Sequence, residues 1–191
     1  MQIKLIALPS LRRKCKRFVK NVFQSLLYSR SKLNTVSGSL NEVVFVCKGN
    51  ICRSAFAEFY FKSLVAGKDV EVFSCGLEVD REVPSPSDVI SVGSNFGVDM
   101  RRHLSKGITA ATENAGIIIA MEFTQYIQLT SMFPSSKRKI HLLKSFSAFP
   151  DNWLINIYDP FGLGEKETHD CFEEIKESLL GLARFVVKSK G

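Results

Sequence analysis

Two uninterrupted apolar runs, Val43-Val44-Phe45-Val46 and Gly116-Ile117-Ile118-Ile119-Ala120-Met121, constrain this chain most. A strand with one face in water alternates apolar and polar residues, so a run that is apolar throughout reads as a strand buried on both faces. Val70–Phe73 and Lys139–Leu143 read as two weaker strands. Between the strands, Ser54–Leu64 carries Phe56, Tyr60 and Leu64 at helical spacing, and Ser87–Phe96 reads as a helix after Pro86. Phe172–Val187 closes the chain as a helix with Phe172, Ile175, Leu179, Leu182 and Val186 on one stripe. This alternation predicts βαβ units, a parallel sheet covered on both sides and right-handed connections. Ligands in such sheets sit beyond the carboxyl ends of the strands. Attention therefore falls on the residues just after Val46.

All these elements follow a break in composition near residue 40. Residues 1–40 hold nine Lys/Arg and no Asp/Glu, whereas residues 41–191 hold 17 Lys/Arg and 19 Asp/Glu. The net charge of +7 thus belongs to the first segment. The polar stretch Asn34–Ser39 reads as a linker. The chain is read as a basic amphipathic arm and linker, 1–40, and one domain, 41–191, long enough to bury roughly two thirds of its extended surface. Hydrophobic residues at 45% and charged residues at 24% exclude a wholly disordered or fibrous chain. No apolar run is long enough to span a membrane. The five cysteines, Cys15, Cys47, Cys52, Cys75 and Cys171, are odd in number and irregularly spaced. That argues for a reducing, cytoplasmic compartment.

After Val46 comes Cys47-Lys48-Gly49-Asn50-Ile51-Cys52-Arg53-Ser54, then helix. A bare Cys-x5-Arg carries little weight, and a lone cysteine at a strand end is as readily a buried small residue. The context gives it force. Gly49 and Asn50 tolerate the positive φ of a tight loop. Successive backbone N–H groups ahead of a helix can converge on one anion, and their field favours a thiolate at Cys47. Arg53 can grip two oxygens of a phosphoryl group as a planar fork. Ser54 is an N-cap type whose hydroxyl could donate to the thiolate. Cys47 and Cys52 are not a Cys-x2-Cys pair, and His103, His141 and His169 lack ligand spacing, so no metal or other cofactor is expected.

This string closely resembles the signature of low-molecular-weight protein tyrosine phosphatases, and the resemblance extends over nearly all of 41–191. Ser74-Cys75-Gly76, Gly97-Val98-Asp99 with His103, Ile117–Met121 with Glu122, and Asp159-Pro160 each resemble a family segment. The resemblance implies a three-layer α/β/α sandwich on a four-stranded parallel sheet, with the phosphate-binding loop after the first strand. Cys47 would attack phosphorus while Asp159 protonates the leaving oxygen. Water would then hydrolyse the cysteinyl-phosphate with Asp159 as base. Lys48, Gly49, Asn50, Ile51, Cys52 and Ser54 complete the loop. Asp-Pro alone is a common turn opener, and it is the phosphate loop that raises Asp159 to general acid. By the same resemblance Ser74 and His103, with Asn50 and Ser54, hold the loop in shape. Phe161 forms an apolar wall, with core packing as its alternative. Cys52 can pair reversibly with Cys47, or is a buried spectator.

The sequence also departs from the family pattern. Lys48 replaces a small or apolar residue, Ala55 a proline, Cys75 an alanine, Ala115-Gly116 an aspartate-containing pair and Lys106 an arginine. Arsenate reduction on this fold needs a downstream cysteine pair, and residues 76–170 contain no cysteine. Protein-arginine phosphatases carry threonine where this chain has Ile51. A non-catalytic phosphotyrosine-binding module would have lost Cys47, Arg53 or Asp159. The short Asp-Pro-Phe-Gly loop resembles bacterial members, which implies a tyrosine-phosphorylated protein partner, such as a tyrosine kinase of capsule or exopolysaccharide export.

The arm lies outside that resemblance. Leu11, Cys15, Phe18, Val19, Val22, Phe23, Leu26 and Leu27 form one apolar stripe on a helix, flanked by Arg12 and Lys16, with Arg13, Lys14, Arg17 and Lys20 farther round. This is the pattern of an interfacial anchor on anionic membrane, which would place the protein peripherally at the inner face. The alternatives are that the stripe packs on the domain, that the arm is disordered, or that it binds nucleic acid, which is not expected. No candidate catalytic residue lies before Cys47, so the arm should be dispensable for turnover.

Overall fold

In the computed structural model, residues 8–31, 40–148, 150 and 153–188 are described, with the backbone alone for 8–15, 17, 30, 31 and 188. The expected linker Asn34–Ser39 lies outside the described residues. The two apolar runs become the inner strands of one sheet. β1 (Glu42–Cys47) lies between β2 (Glu71–Gly76) and β3 (Ile117–Ala120), and β4 (Ile140–Leu142) flanks β3. Every pairing is parallel. Val43–Val46 and Ile117–Ala120 are fully buried, as a strand covered on both faces must be.

The pleat sends alternate side chains to opposite layers. Val43, Phe45 and Cys47 join one cluster with α2 (Arg53–Leu64), α3 (Ser87–Asn95) and α6 (Glu165–Lys188). Val44 and Val46 join the other, with Tyr126 and Leu129 of α5 (Phe123–Met132). A short α4 (Ala110–Asn114) precedes β3. The three-layer sandwich is thus as the sequence implied. Stacking of Phe56 on Phe172, centroids 3.8 Å apart, ties α2 to α6. Each such buried phenyl contributes on the order of 2–3 kcal/mol by area.

The helices differ from expectation in where α6 starts and in the unread α4 and α5. α6 begins at Glu165, not Phe172. Its first turn is polar and carries no apolar period, but Glu165 and Glu167 suit the positive end of a helix. α5 is not read from the sequence at all.

The arm forms α1 (Leu8–Ser31), and it packs on the domain through its polar side. Asn21, Ser25 and Tyr28 are buried, whereas Phe18, Val19, Phe23, Leu26 and Leu27 are exposed. The Tyr28 hydroxyl accepts from the Leu142 N–H at 3.2 Å, and the Ser25 hydroxyl from the Ile155 N–H at 3.4 Å. Tyr28 also meets Tyr126 edge-on, centroids 5.2 Å apart. So Tyr28 of α1 supplies a partner to the Leu142 N–H at the end of the edge strand β4. The alternative that the stripe packs on the domain does not hold, because the opposite face makes that packing.

Candidate active site

β1 ends at Cys47 and α2 begins at Arg53, which leaves five residues to make the turn between them. Asn50 has φ 52, the single positive value for a non-glycine among the described residues. Asparagine tolerates that region, and here its side chain is fully used. Its Nδ2 donates to the hydroxyls of Ser54 (2.9 Å) and Ser74 (2.7 Å), and its Oδ1 accepts from the Lys106 N–H at 2.8 Å. His103 Nε2 donates to the Asn50 carbonyl at 2.6 Å. Ser74 donates onward to Glu58 at 2.6 Å. A buried polar group without partners would cost about 1–3 kcal/mol, so this closed network fixes one loop shape.

Cys47 Sγ lies inside that loop. It accepts from the Asn50 N–H at 3.3 Å and lies 3.0 Å from Ser54 Oγ. Ser54 Oγ accepts from Asn50, and its one proton lies between the sulfur and the Cys75 carbonyl oxygen at 3.4 Å. Gly76 at the end of β2 makes room for the turn. A Cβ there would lie 2.7 Å from the Lys48 carbonyl oxygen and 2.9 Å from the Asn50 nitrogen. Only glycine fits so close a backbone approach.

Arg53 is almost wholly buried. Its Nη1 donates to Glu122 and to the Ile157 carbonyl at 3.0 Å, and its Nη2 donates to Asp159 Oδ2 at 2.7 Å. Burial opposes its charge, but Cys47, Asp159 and Glu122 together outweigh that and hold the guanidinium above its ordinary value. Its Nε is buried with no hydrogen-bond partner among the described residues. A guanidinium anchored on one side with an unused N–H on the other suits an incoming oxyanion. Asp159 is oriented by that contact and by the Phe161 N–H, which donates to Oδ1 at 3.2 Å. Cys47, Arg53 and Asp159, separated by up to 112 residues in sequence, thus share one site.

Comparison with known proteins follows the same lines. A family model described as low molecular weight phosphotyrosine protein phosphatase matches residues 42–190. The chain belongs to this family. The low molecular weight protein-tyrosine-phosphatase Etp of Escherichia coli K12 is 30% identical over 138 residues, 71% of this chain and 84% of that protein. The crystal structure of a low molecular weight protein tyrosine phosphatase from T. tengcongensis superposes with a TM-score of 0.68 at 30% identity, covering 75% of this chain and 98% of that one. A YwlE arginine phosphatase, a cysteine-to-serine mutant with a phosphorylated active-site serine, superposes with a TM-score of 0.70 at 26% identity, covering 77% and 96%.

Within this phosphatase family frame the remaining sequence candidates fall as follows. Phe161 is 59% exposed beside Asp159, so core packing does not account for it. Ile51 is half-buried in the loop. Lys48 points to solvent and pairs with Glu78 at 3.2 Å, which offsets the charge it adds to the rim. Such exposed pairs contribute little to stability. Cys52, Cys75 and Cys171 are buried, and burial is the first cause raising each thiol, to about 12 for Cys75. They stay protonated, and so poorly nucleophilic, at neutral pH. The side chain of Cys15 lies outside the described residues.

Sequence reasoning missed three contributors. Glu122, noted only as following the central strand, anchors Arg53. Its side-chain contact with the Gln125 backbone closes a capping box at the start of α5, and the Glu-x-x-Gln spacing could have signalled it. Glu58 closes the Asn50 network, and no spacing marks it. Asn156 is a buried junction: Oδ1 accepts from the Phe123 N–H at 2.7 Å, and Nδ2 donates to Asn21 and Gln24, both at 2.8 Å. It joins α1 and the first turn of α5 to the segment that carries Asp159.

Proposed function

We propose that the chain is a protein-tyrosine phosphatase acting through a cysteinyl-phosphate on Cys47. The observation that carries this reading is Arg53, which closes the Cys47 loop and keeps a buried, spare Nε while its Nη2 holds Asp159. The phosphoryl dianion takes the Nε and Nη2 edge of Arg53 and the loop amides, and Asp159 turns to the leaving oxygen. Cys47 attacks in line, the P–O ester bond breaks, and Asp159 gives its proton to the phenolate. Water then attacks phosphorus, Asp159 takes its proton, and the S–P bond breaks to release phosphate and the thiolate. Ser54 donates to that sulfur as it leaves. Arg53 and the amides stabilise the equatorial oxygens in both steps. No step calls on a metal.

Ile51 and the exposed Phe161 give the entrance an apolar character that suits a flat phenyl ring. A bacterial tyrosine kinase of capsule or exopolysaccharide export is the proposed partner, supported by the short Asp159-Pro160-Phe161-Gly162 loop. A cytoplasmic position at the inner face of the membrane would bring the site to such a kinase. The test is turnover of one peptide carrying phosphotyrosine, phosphoserine or phosphoarginine. The reading requires phosphotyrosine to be hydrolysed at least a hundredfold faster than phosphoserine, and Cys47→Ser to remove that activity. Preference for phosphoarginine would move the assignment to the other activity named among the neighbours.

A further inference from the structure

α1 docks the wrong way round for a helix whose apolar stripe exists to fill a core. Apart from the edge of Tyr28 on Tyr126, its docking contacts are polar: Asn21 and Gln24 on Asn156, Ser25 on the Ile155 N–H, Tyr28 on the Leu142 N–H. The apolar residues are turned away, and Phe18, Val19, Phe23, Leu26 and Leu27 are 39–66% exposed. Lys16 and Lys20 are exposed as well. Leaving five large apolar side chains in water along one helix is unfavourable unless something covers them. None of the described helices is long and apolar enough to cross a membrane.

We propose that this outer face of α1 lies in the interface of an anionic lipid bilayer and holds the domain against it. Charge selects this occupant. The first 40 residues carry nine Lys/Arg and no Asp/Glu. A second copy of the same face would bring like charge against like, whereas anionic headgroups complement it. Nucleic acid would satisfy the charge but leave the Phe, Val and Leu side chains in water. An in-plane helix buries such a stripe in the headgroup and acyl boundary while its basic side chains reach the phosphates. This surface does not depend on which phosphoprotein the site hydrolyses.

The test uses the full chain, because removing α1 would strip Asn156 and the β4 edge of their partners. Co-sedimentation with phosphatidylserine-containing vesicles is compared with phosphatidylcholine vesicles, at low and high salt. The wild type should partition onto the anionic vesicles, and high salt should weaken this, since each basic side chain is worth about fivefold at low ionic strength. Phe23→Ser with Leu26→Ser should cut partitioning at least tenfold while p-nitrophenyl phosphate turnover stays at the wild-type rate. No binding to anionic vesicles, or equal binding by the double variant, overturns the proposal. So does a dimer in solution that the double variant dissolves, or salt-sensitive RNA binding without lipid binding.

Discussion

Arg53 bears the most demands of any residue in the site. Its Nη1 is committed to Glu122 and Ile157, its Nη2 holds Asp159 until the phosphoryl group arrives, and Nε is spare. A lysine has neither the fork nor the reach to make these contacts together. Arg53→Lys should lower kcat/KM by roughly 10²–10³, the usual effect of losing an oxyanion donor. Steady-state kinetics on p-nitrophenyl phosphate would show it, and a loss below tenfold would mean that the fork is not used. Asp159→Asn should slow phenyl phosphate hydrolysis by roughly 10²–10⁴. It should slow p-nitrophenyl phosphate less, because that leaving group barely needs a proton. Equal losses on both would reduce Asp159 to a positioning group. At this scale the sequence was most legible, because Cys47, Asn50, Arg53 and Ser54 lie in one short string. Glu58 and Glu122 were not, because their importance comes only from folding against Ser74 and Arg53.

Elements set how that string is held. The β1 and β3 runs announced themselves because burial on both faces leaves no polar position, and β2 and β4 followed in weaker form. α5 escaped because Phe123, Tyr126 and Leu129 are its only buried large apolar residues, with Thr124, Gln125 and Gln128 between them and Ile127 turned to solvent. Where elements meet, single positions carry the geometry. Gly76→Ala should press on the Lys48 carbonyl and the Asn50 nitrogen and distort the loop. We expect a fall in kcat of at least tenfold together with weaker phosphate inhibition, and unchanged values of both would show that the loop can shift freely. Asn156 joins α1 and α5 to the segment before Asp159. Asn156→Ala should hurt phenyl phosphate hydrolysis more than p-nitrophenyl phosphate hydrolysis, as a misplaced Asp159 would. A uniform loss on both substrates would mark a role in folding alone. A selective loss would show that the arm, read from the sequence as dispensable for turnover, acts on Asp159 through Asn156.

For the molecule as a whole, α1 is part of the folded unit through Tyr28, although the family match begins at residue 42. Tyr28→Phe removes the acceptor for the buried Leu142 N–H. It should cost about 1–3 kcal/mol in urea unfolding, and no change would detach α1 from the stability of the domain. Burial also raises the Tyr28 hydroxyl above its ordinary value of 10.0, with hydrogen bonds from Ser145 and Leu142 working in the other direction. The folded state therefore favours the neutral phenol. That part of the stability is whole below about pH 10 and is lost as the pH climbs through the raised value. Alkaline unfolding of the wild type should steepen there, and Tyr28→Phe should flatten it. The amphipathic stripe was plain in the sequence. The docking of its polar face was not, because Asn21, Gln24 and Ser25 read as a solvent face until Asn156 and Ile155 are placed against them.

The central claim is that phosphate passes through Cys47. Acid-quenching Asp159→Ala during turnover of p-nitrophenyl phosphate, followed by peptide mass spectrometry, tests it directly. That variant keeps the nucleophile but lacks the base that hydrolyses the intermediate. One phosphoryl group should be found on the peptide containing Cys47, and none in the same variant with Cys47→Ala added. A phosphoryl group on any other residue, or continued turnover by the Cys47→Ala protein, would contradict the account.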